Sequence, residues 1–276
     1  MIHVPDDAPR ALILRAAGVN CDGETAHAFA LAGAQPTRLH INRLAENPRL
    51  LEDFDLLAIP GGFSYGDDIA AGRILADQLN RTLGEELLRF VDAGKPVIGI
   101  CNGFQVLVQT RLLPGVVDGI PAAERLCTLS ENIQGRFICR WIRLAKAARH
   151  CIWTQQWGED EEIELPIAHA EGRLVFRDDR ARDLLEESGR VALRYTGVVG
   201  GDVPDLPANP NGSTNDIAGL SDESGLVLGL MPHPERYTDA AQHPAYARRR
   251  LEDRTDVEPA GLRLFKSAVE HVMARV

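Results

Sequence analysis

Val97-Ile98-Gly99-Ile100-Cys101-Asn102-Gly103-Phe104-Gln105 is the stretch that decides the fold. Val97, Ile98 and Ile100 make a short apolar run that reads as a buried strand, and Phe104-Gln105-Val106-Leu107-Val108-Gln109 reads as the first turns of a helix. Glycine stands two residues before and two after Cys101, which is the spacing of a nucleophile elbow. So sharp a strand-to-helix turn tolerates almost no side chain on either flank. The residue at its tip faces free N–H groups and the partial positive charge of a helix start, which favour a thiolate and can hold an oxyanion. Taken alone, the elbow leaves an ordinary buried cysteine at a strand end equally open.

Far along the chain, Gly225-Leu226-Val227-Leu228-Gly229-Leu230-Met231 reads as another strand and runs into Pro232-His233-Pro234-Glu235. Alternate side chains of extended backbone point the same way, so Glu235 can reach the His233 ring. A cysteine activated by a histidine that a carboxylate orients is triad chemistry. The candidate catalytic residues are therefore Cys101, His233 and Glu235.

Around the elbow, strand and helix signals alternate. Strands are expected at 11–14, 37–41, 55–59 and 97–100. Helices are expected from an Asp22 N-cap to about Gly33, and over 68–92 with Gly84 as a possible break. This order predicts an α/β fold: a mainly parallel open sheet with helices on both faces and its site beyond the carboxyl ends of the strands. The middle of the chain differs. Residues 125–129 and 136–144 alternate as strands around a turn at 130–135, which predicts an antiparallel section. A helix is expected at 178–188, a strand at 190–195, and a Gly/Pro/Asn-rich loop at 200–214. The expected organisation is one domain over 1–276, with an insertion at about 145–165 and a charged, helical C-terminal tail at about 238–276, its last part amphipathic.

The chain has 276 residues, 45% hydrophobic and 25% charged, with a formal net charge of −10. That balance does not suit phosphate-backbone binding, and Arg248-Arg249-Arg250 sits beside Glu252 and Asp253 as a solvated face. No apolar run reaches the length of a membrane span, and residues 1–7 lack a signal-peptide pattern. Five cysteines, an odd number without metal-ligand spacing, suit a reducing cytosol, so no metal and a cytoplasmic location are expected.

Gly-Ile-Cys-Asn-Gly-Phe-Gln together with His-Pro-Glu resembles the class I, triad-type glutamine amidotransferases. Gly18-Val19-Asn20-Cys21-Asp22, Pro60-Gly61-Gly62-Phe63-Ser64-Tyr65-Gly66-Asp67, Arg136-Phe137-Ile138-Cys139-Arg140-Trp141, His169-Ala170-Glu171-Gly172 and Asn209-Pro210-Asn211-Gly212-Ser213 follow in the order found in the glutaminase subunits of phosphoribosylformylglycinamidine synthase. The resemblance implies hydrolysis of L-glutamine to glutamate and ammonia in purine biosynthesis. It implies an oxyanion hole from Gly62, Phe63 and Asn102, and substrate contacts from Gln105, Arg136 and Phe137. His169 and Glu171 read as rim or subunit-contact residues, and Cys21 as buried in the first strand–helix turn. No Gly-x-x-x-x-Gly-Lys-Ser/Thr loop is present, so ATP and magnesium are expected in a partner. The implied partners are a large synthetase subunit and a third small subunit, met by the loops at 64–67, 132–136 and 169–172. A glutaminase serving another synthetase, or a cysteine-elbow protein of peptidase or chaperone type, is the alternative.

Overall fold

The computed structural model describes residues 4–5, 7–118, 124–148, 150–199, 207–252 and 258–275. Residues 1–3 and 6 of the N-terminal stretch, 200–206 of the expected loop, and 253–257 and 276 of the expected tail lie outside these. In chain order the elements begin with β1 (Arg10–Arg15), α1 (Asp22–Leu31), β2 (Gln35–His40), α2 (Ile41–Glu46), β3 (Leu56–Ile59), α3 (Arg73–Asp92), β4 (Val97–Ile100) and α4 (Asn102–Thr110). They continue with β5 (Cys127–Ser130), β6 (Ile138–Lys146), β7 (Ile163–His169), β8 (Arg173–Phe176), α5 (Asp179–Glu187), β9 (Val191–Val198), β10 (Ile217–Ser221), β11 (Val227–Leu230), α6 (Tyr246–Leu251) and α7 (Ala260–Met273).

Nine strands form one sheet in the order β2-β1-β3-β4-β11-β10-β9-β6-β7. The pairs from β2 to β11 are parallel. The pairs from β11 to β7 are antiparallel. The central parallel strands β3 and β4 are buried at every position, whereas β2, at the edge, is polar and partly exposed. From β1 the chain steps one way to β2, and from β3 it steps the other way to β4. Right-handed crossovers therefore place α1 on one face and α3 and α4 on the other. Phe29 of α1 meets Phe265 of α7 edge-on, with ring centroids 4.9 Å apart, so α7 covers the α1 face. The reversal of direction falls between β1 and β3, and the loops there open at the carboxyl ends of the strands.

The α/β expectation holds, with three local differences. The expected hairpin between 125–129 and 136–144 does not form. β5 pairs with β8 in a separate two-stranded sheet, while β6 joins the large sheet between β9 and β7. α3 runs through Gly84 without a break and starts at Arg73, because Tyr65, Gly66, Asp67 and Gly72 all have positive φ. Asp22 is the first residue of α1, with Cys21 at the cap.

The weakly patterned stretch at 145–165 is tied into the core. Trp153 and Trp157 are buried, and their indole N–H groups donate to the carbonyls of Leu226 (2.9 Å) and Ala260 (3.0 Å). Among the described residues no helix is long and apolar enough to cross a membrane.

Candidate active site

Cys101 stands between β4 and α4 with φ +52° and ψ −104°, a conformation that L-residues rarely adopt and that costs about 1–3 kcal/mol. Its N–H donates to the Leu230 carbonyl at 2.8 Å, which fixes the turn against β11. Both flanking glycines are required by contact. A Cβ on Gly99 would lie 2.5 Å from the Gly103 carbonyl oxygen, and one on Gly103 would lie 1.8 Å from the Ile59 carbonyl oxygen. The strain and the packing together aim the thiol over the start of α4, where it lies 3.7 Å from the Ala168 carbonyl.

His233 and Glu235 follow β11 directly. Nδ1 of His233 is 2.6 Å from Oε1 of Glu235, and the His233 N–H donates to the Pro166 carbonyl at 2.8 Å. The two side chains are buried, and the other ring nitrogen, Nε2, has no hydrogen-bond partner. Burial works against the imidazolium, but the Glu235 carboxylate and the Cys101 sulfur outweigh it and hold His233 well above its ordinary range. His233 is thus a strong proton acceptor beside the thiol.

Cys101 and His233 line a cleft of about 110 Å³ together with Gly62, Phe63, Gln105, Phe137, His169 and Glu171. Of the three expected oxyanion donors, two have a free N–H. Asn102 opens a helix, so its N–H has no intrahelical acceptor. The Gly62 N–H meets no acceptor among the described residues. The Phe63 N–H is committed to the Gly18 carbonyl at 2.9 Å, so Phe63 contributes its ring and not its amide. Gly62 itself has φ +139°, and a Cβ there would meet Asn20 and Gly18 backbone at 2.7 Å. Gln105 is buried, receives a hydrogen bond from Asn102 Nδ2 at 3.0 Å and donates to the Glu171 carbonyl.

Phe137 reaches the mouth, with its ring 6.5 Å from that of Phe63. Arg136 is exposed and does not line the cleft; its carbonyl, not its guanidinium, is engaged, by Asn132 at 2.9 Å.

Several residues fall elsewhere than expected. His169 is buried beside the cleft instead of standing on its rim. Its Nδ1 lies 3.0 Å from Asn132 Oδ1, and burial, helped by the nearby His233 charge, pushes its pKa down to about 3, so it is neutral. Asp67 accepts from Asn102 Nδ2 at 3.1 Å and is half-buried, and burial together with the Glu171 charge raises its carboxyl above the usual range despite the Gly72 N–H. It belongs to the wall of the site more than to a free loop. Gly61, expected only as part of the glycine loop, abuts the base: a Cβ there would lie 2.9 Å from Cε1 of His233. Cys21 is buried in the first strand–helix turn, as expected, but its contact with Arg236 was not an expectation. Cys21 lines the cleft, and its Sγ accepts from Arg236 Nη2 at 3.2 Å. The only sequence signal for these contacts was the place of their residues in loops at strand carboxyl ends.

Among the described residues, one group has the spacing of metal ligands: Cys21, His233 and Glu235 offer atoms within 4.8 Å of one another. The histidine and glutamate bond each other there, and the sulfur bonds Arg236.

Known proteins share both fold and sequence with this chain. A family model described as a CobB/CobQ-like glutamine amidotransferase domain matches residues 8–272. The chain is 44% identical over 263 residues to the phosphoribosylformylglycinamidine synthase subunit PurQ of Dehalococcoides mccartyi, covering 95% of this chain and 96% of that one. It is 46% identical over 238 residues to the PurQ subunit of Treponema denticola, covering 82% and 87%. The structure of PurLQS from Thermotoga maritima contains a chain that superposes with a TM-score of 0.71 at 31% identity, covering 96% of this chain and 99% of that one.

Proposed function

The chain belongs to the CobB/CobQ-like glutamine amidotransferase family, and from that premise we infer how its cleft works. It is a glutaminase: it supplies ammonia from glutamine for phosphoribosylformylglycinamidine synthesis in purine biosynthesis, as a subunit of a complex. The observation that carries the mechanism is the buried His233–Glu235 pair set beside a cysteine in a strained elbow.

The Cys101 sulfur gives its proton to His233 and attacks the side-chain amide carbon of glutamine. The oxyanion formed is held by the N–H groups of Asn102 and Gly62. His233 returns the proton to the amide nitrogen, the C–N bond breaks, and ammonia leaves a thioester on Cys101. Water, deprotonated by His233, then releases glutamate and restores the thiol. Glu235 keeps the ring in the tautomer with its proton on Nδ1 and stabilises the cation. Gln105 and Phe137 hold the substrate. No cofactor is needed for these steps in this chain; ATP and magnesium serve the synthetase.

The partner reading is a large synthetase subunit, with a third small subunit, docked over the cleft mouth. Four exposed apolar side chains support it: Phe63 and Ile69 in the segment after β3, and Ile133 and Phe137 between β5 and β6. Phe63 and Phe137 line the cleft, Ile69 and Ile133 lie on the segments that carry them, and exposed apolar groups on such neighbouring loops mark a docking surface. Ammonia released beneath such a cover passes to the synthetase and not to water, in a cytoplasmic complex. A diazo-ketone glutamine analogue tests the chemistry. It labels Cys101 and none of the other four cysteines, and labelling elsewhere would overturn the assignment.

A further inference from the structure

The ring of His233 is fixed at one point by Glu235. A histidine χ2 is a broad, soft torsion, so a single hydrogen bond at Nδ1 leaves the plane of the imidazole loosely defined. A second support stands on its other side. Gly61 has no Cβ, and in the space this leaves the His233 ring edge and the Cys21 sulfur meet: the missing atom would be 2.9 Å from His233 Cε1 and 3.3 Å from Cys21 Sγ. That sulfur is itself held, 3.3 Å from Asn20 Oδ1 and 3.2 Å from Arg236 Nη2, and Arg236 is anchored by Glu24 at 3.0 Å. Cys21 is 1% exposed, so its own contacts are shielded from bulk water, while the Arg236–Glu24 pair that anchors them reaches the surface.

We propose that Cys21 is a positioning residue for His233, the end of a chain Glu24–Arg236–Cys21 that fixes the imidazole plane so that Nε2 faces Cys101. The proposal rests on the glutaminase reading of the same cleft. It separates the two sulfurs: one attacks glutamine, the other only touches the base. The contact also favours the imidazolium, because an electron-rich sulfur faces the charged ring, and it adds to the effect of Glu235.

The test follows the rate at which the diazo-ketone analogue alkylates Cys101 as a function of pH, beside steady-state glutaminase kinetics of the complex. Cys21→Ala is expected to lower kcat roughly tenfold with KM for glutamine within about twofold, and to move the basic limb of the alkylation profile to lower pH. Cys21→Ser, which keeps a polar atom, restores most of the loss. Arg236→Gln, which frees the sulfur, lowers kcat with KM held in the same way and serves if Cys21→Ala does not fold. A pH profile that superposes on wild type in Cys21→Ala, or an unchanged kcat in Arg236→Gln, overturns the proposal, as does a serine variant no better than alanine. Wild-type Cys101 that is never alkylated would instead overturn the glutaminase chemistry itself, so the two failures are distinguishable.

Discussion

Gly103→Ala should be among the most damaging single-methyl additions to this protein. The new Cβ would be placed 1.8 Å from the Ile59 carbonyl oxygen and 2.7 Å from its carbon. Both are β3 backbone, which no rotamer change can move. To reach an ordinary contact, α4 must retreat from β3 by more than about 1 Å, and forcing an interior apart in this way costs roughly 1–3 kcal/mol. Alanine's better helix propensity returns at most about 1 kcal/mol. A net loss of about 1–2 kcal/mol lowers the Tm by about 2–8 °C in a chain of this size. The catalytic loss is larger, because α4 carries Asn102 and begins at Cys101: a misplacement of about 1 Å costs on the order of 100-fold in rate. Gly84→Ala is the control, since no atom lies within 4 Å of the added carbon inside α3, and it should stabilise by roughly 0.5–1 kcal/mol. Calorimetry and glutaminase assays on both variants read the two effects. A Gly103→Ala protein with an unchanged Tm and activity within twofold would refute the claim that the Ile59 carbonyl sets the elbow's position.

Glu235→Gln should leave the fold intact and lower kcat by about 10²–10⁴, with the basic limb of Cys101 alkylation moving to lower pH, because the carboxylate that favours the imidazolium is gone; an unmoved limb would count against its role. His169 takes up its proton in the unfolded chain near pH 6.5 but in the folded one only at about 3. It therefore stabilises the fold fully above pH 6.5 and loses that contribution as pH falls toward 3. Urea melts of His169→Gln from pH 7 to 4 should show a shallower decline than wild type, and parallel curves would contradict this. Ile69→Ser and Ile133→Ser, at side chains 73% and 64% exposed, should change stability by less than about 0.5 kcal/mol and leave the glutaminase activity of the isolated chain alone. Both should weaken assembly with the synthetase in ultracentrifugation; unaltered assembly would move the docking surface elsewhere. Adding the cognate synthetase and its substrates should raise glutamine hydrolysis at least about tenfold, a coupling of about 1.4 kcal/mol, and an isolated chain already at full rate would refute partner gating.

Local chemistry was legible in the sequence wherever one short segment sufficed. The elbow needs Gly99 and Gly103 within five residues, and the His233–Glu235 pair needs only an extended step of two. The central parallel strands announced themselves because a strand buried on both faces is apolar throughout. What escaped reading depends on contacts between distant segments. Nothing in residues 125–144 says that β5 prefers β8 to β6, since the alternation fits either partner. Cys21 gains its importance from Arg236 and His233, more than two hundred residues away, and only the strand order β1-β3-β4-β11 brings its loop to them. The late start of α3 rests on left-handed Tyr65 and Asp67, and a tyrosine gives no sign of that conformation. The Phe63 amide looked available until its neighbour Gly18 was seen to accept from it.

β7 is the last strand of the sheet, four places beyond β11, yet its carbonyls at Pro166 and Ala168 meet His233 and Cys101. The sheet must curl far enough for its outer edge to return over its own centre. An edge that would otherwise be open to another chain is thereby partly closed by the site. Order in time follows as well. His233 follows β11, more than a hundred residues after Cys101, so a polypeptide that has emerged only as far as β9 holds the nucleophile without its base. Glutamine is safe from this chain until the strand at one margin and the turn after β11 have both arrived, and the first molecule able to release ammonia is one whose sheet is complete.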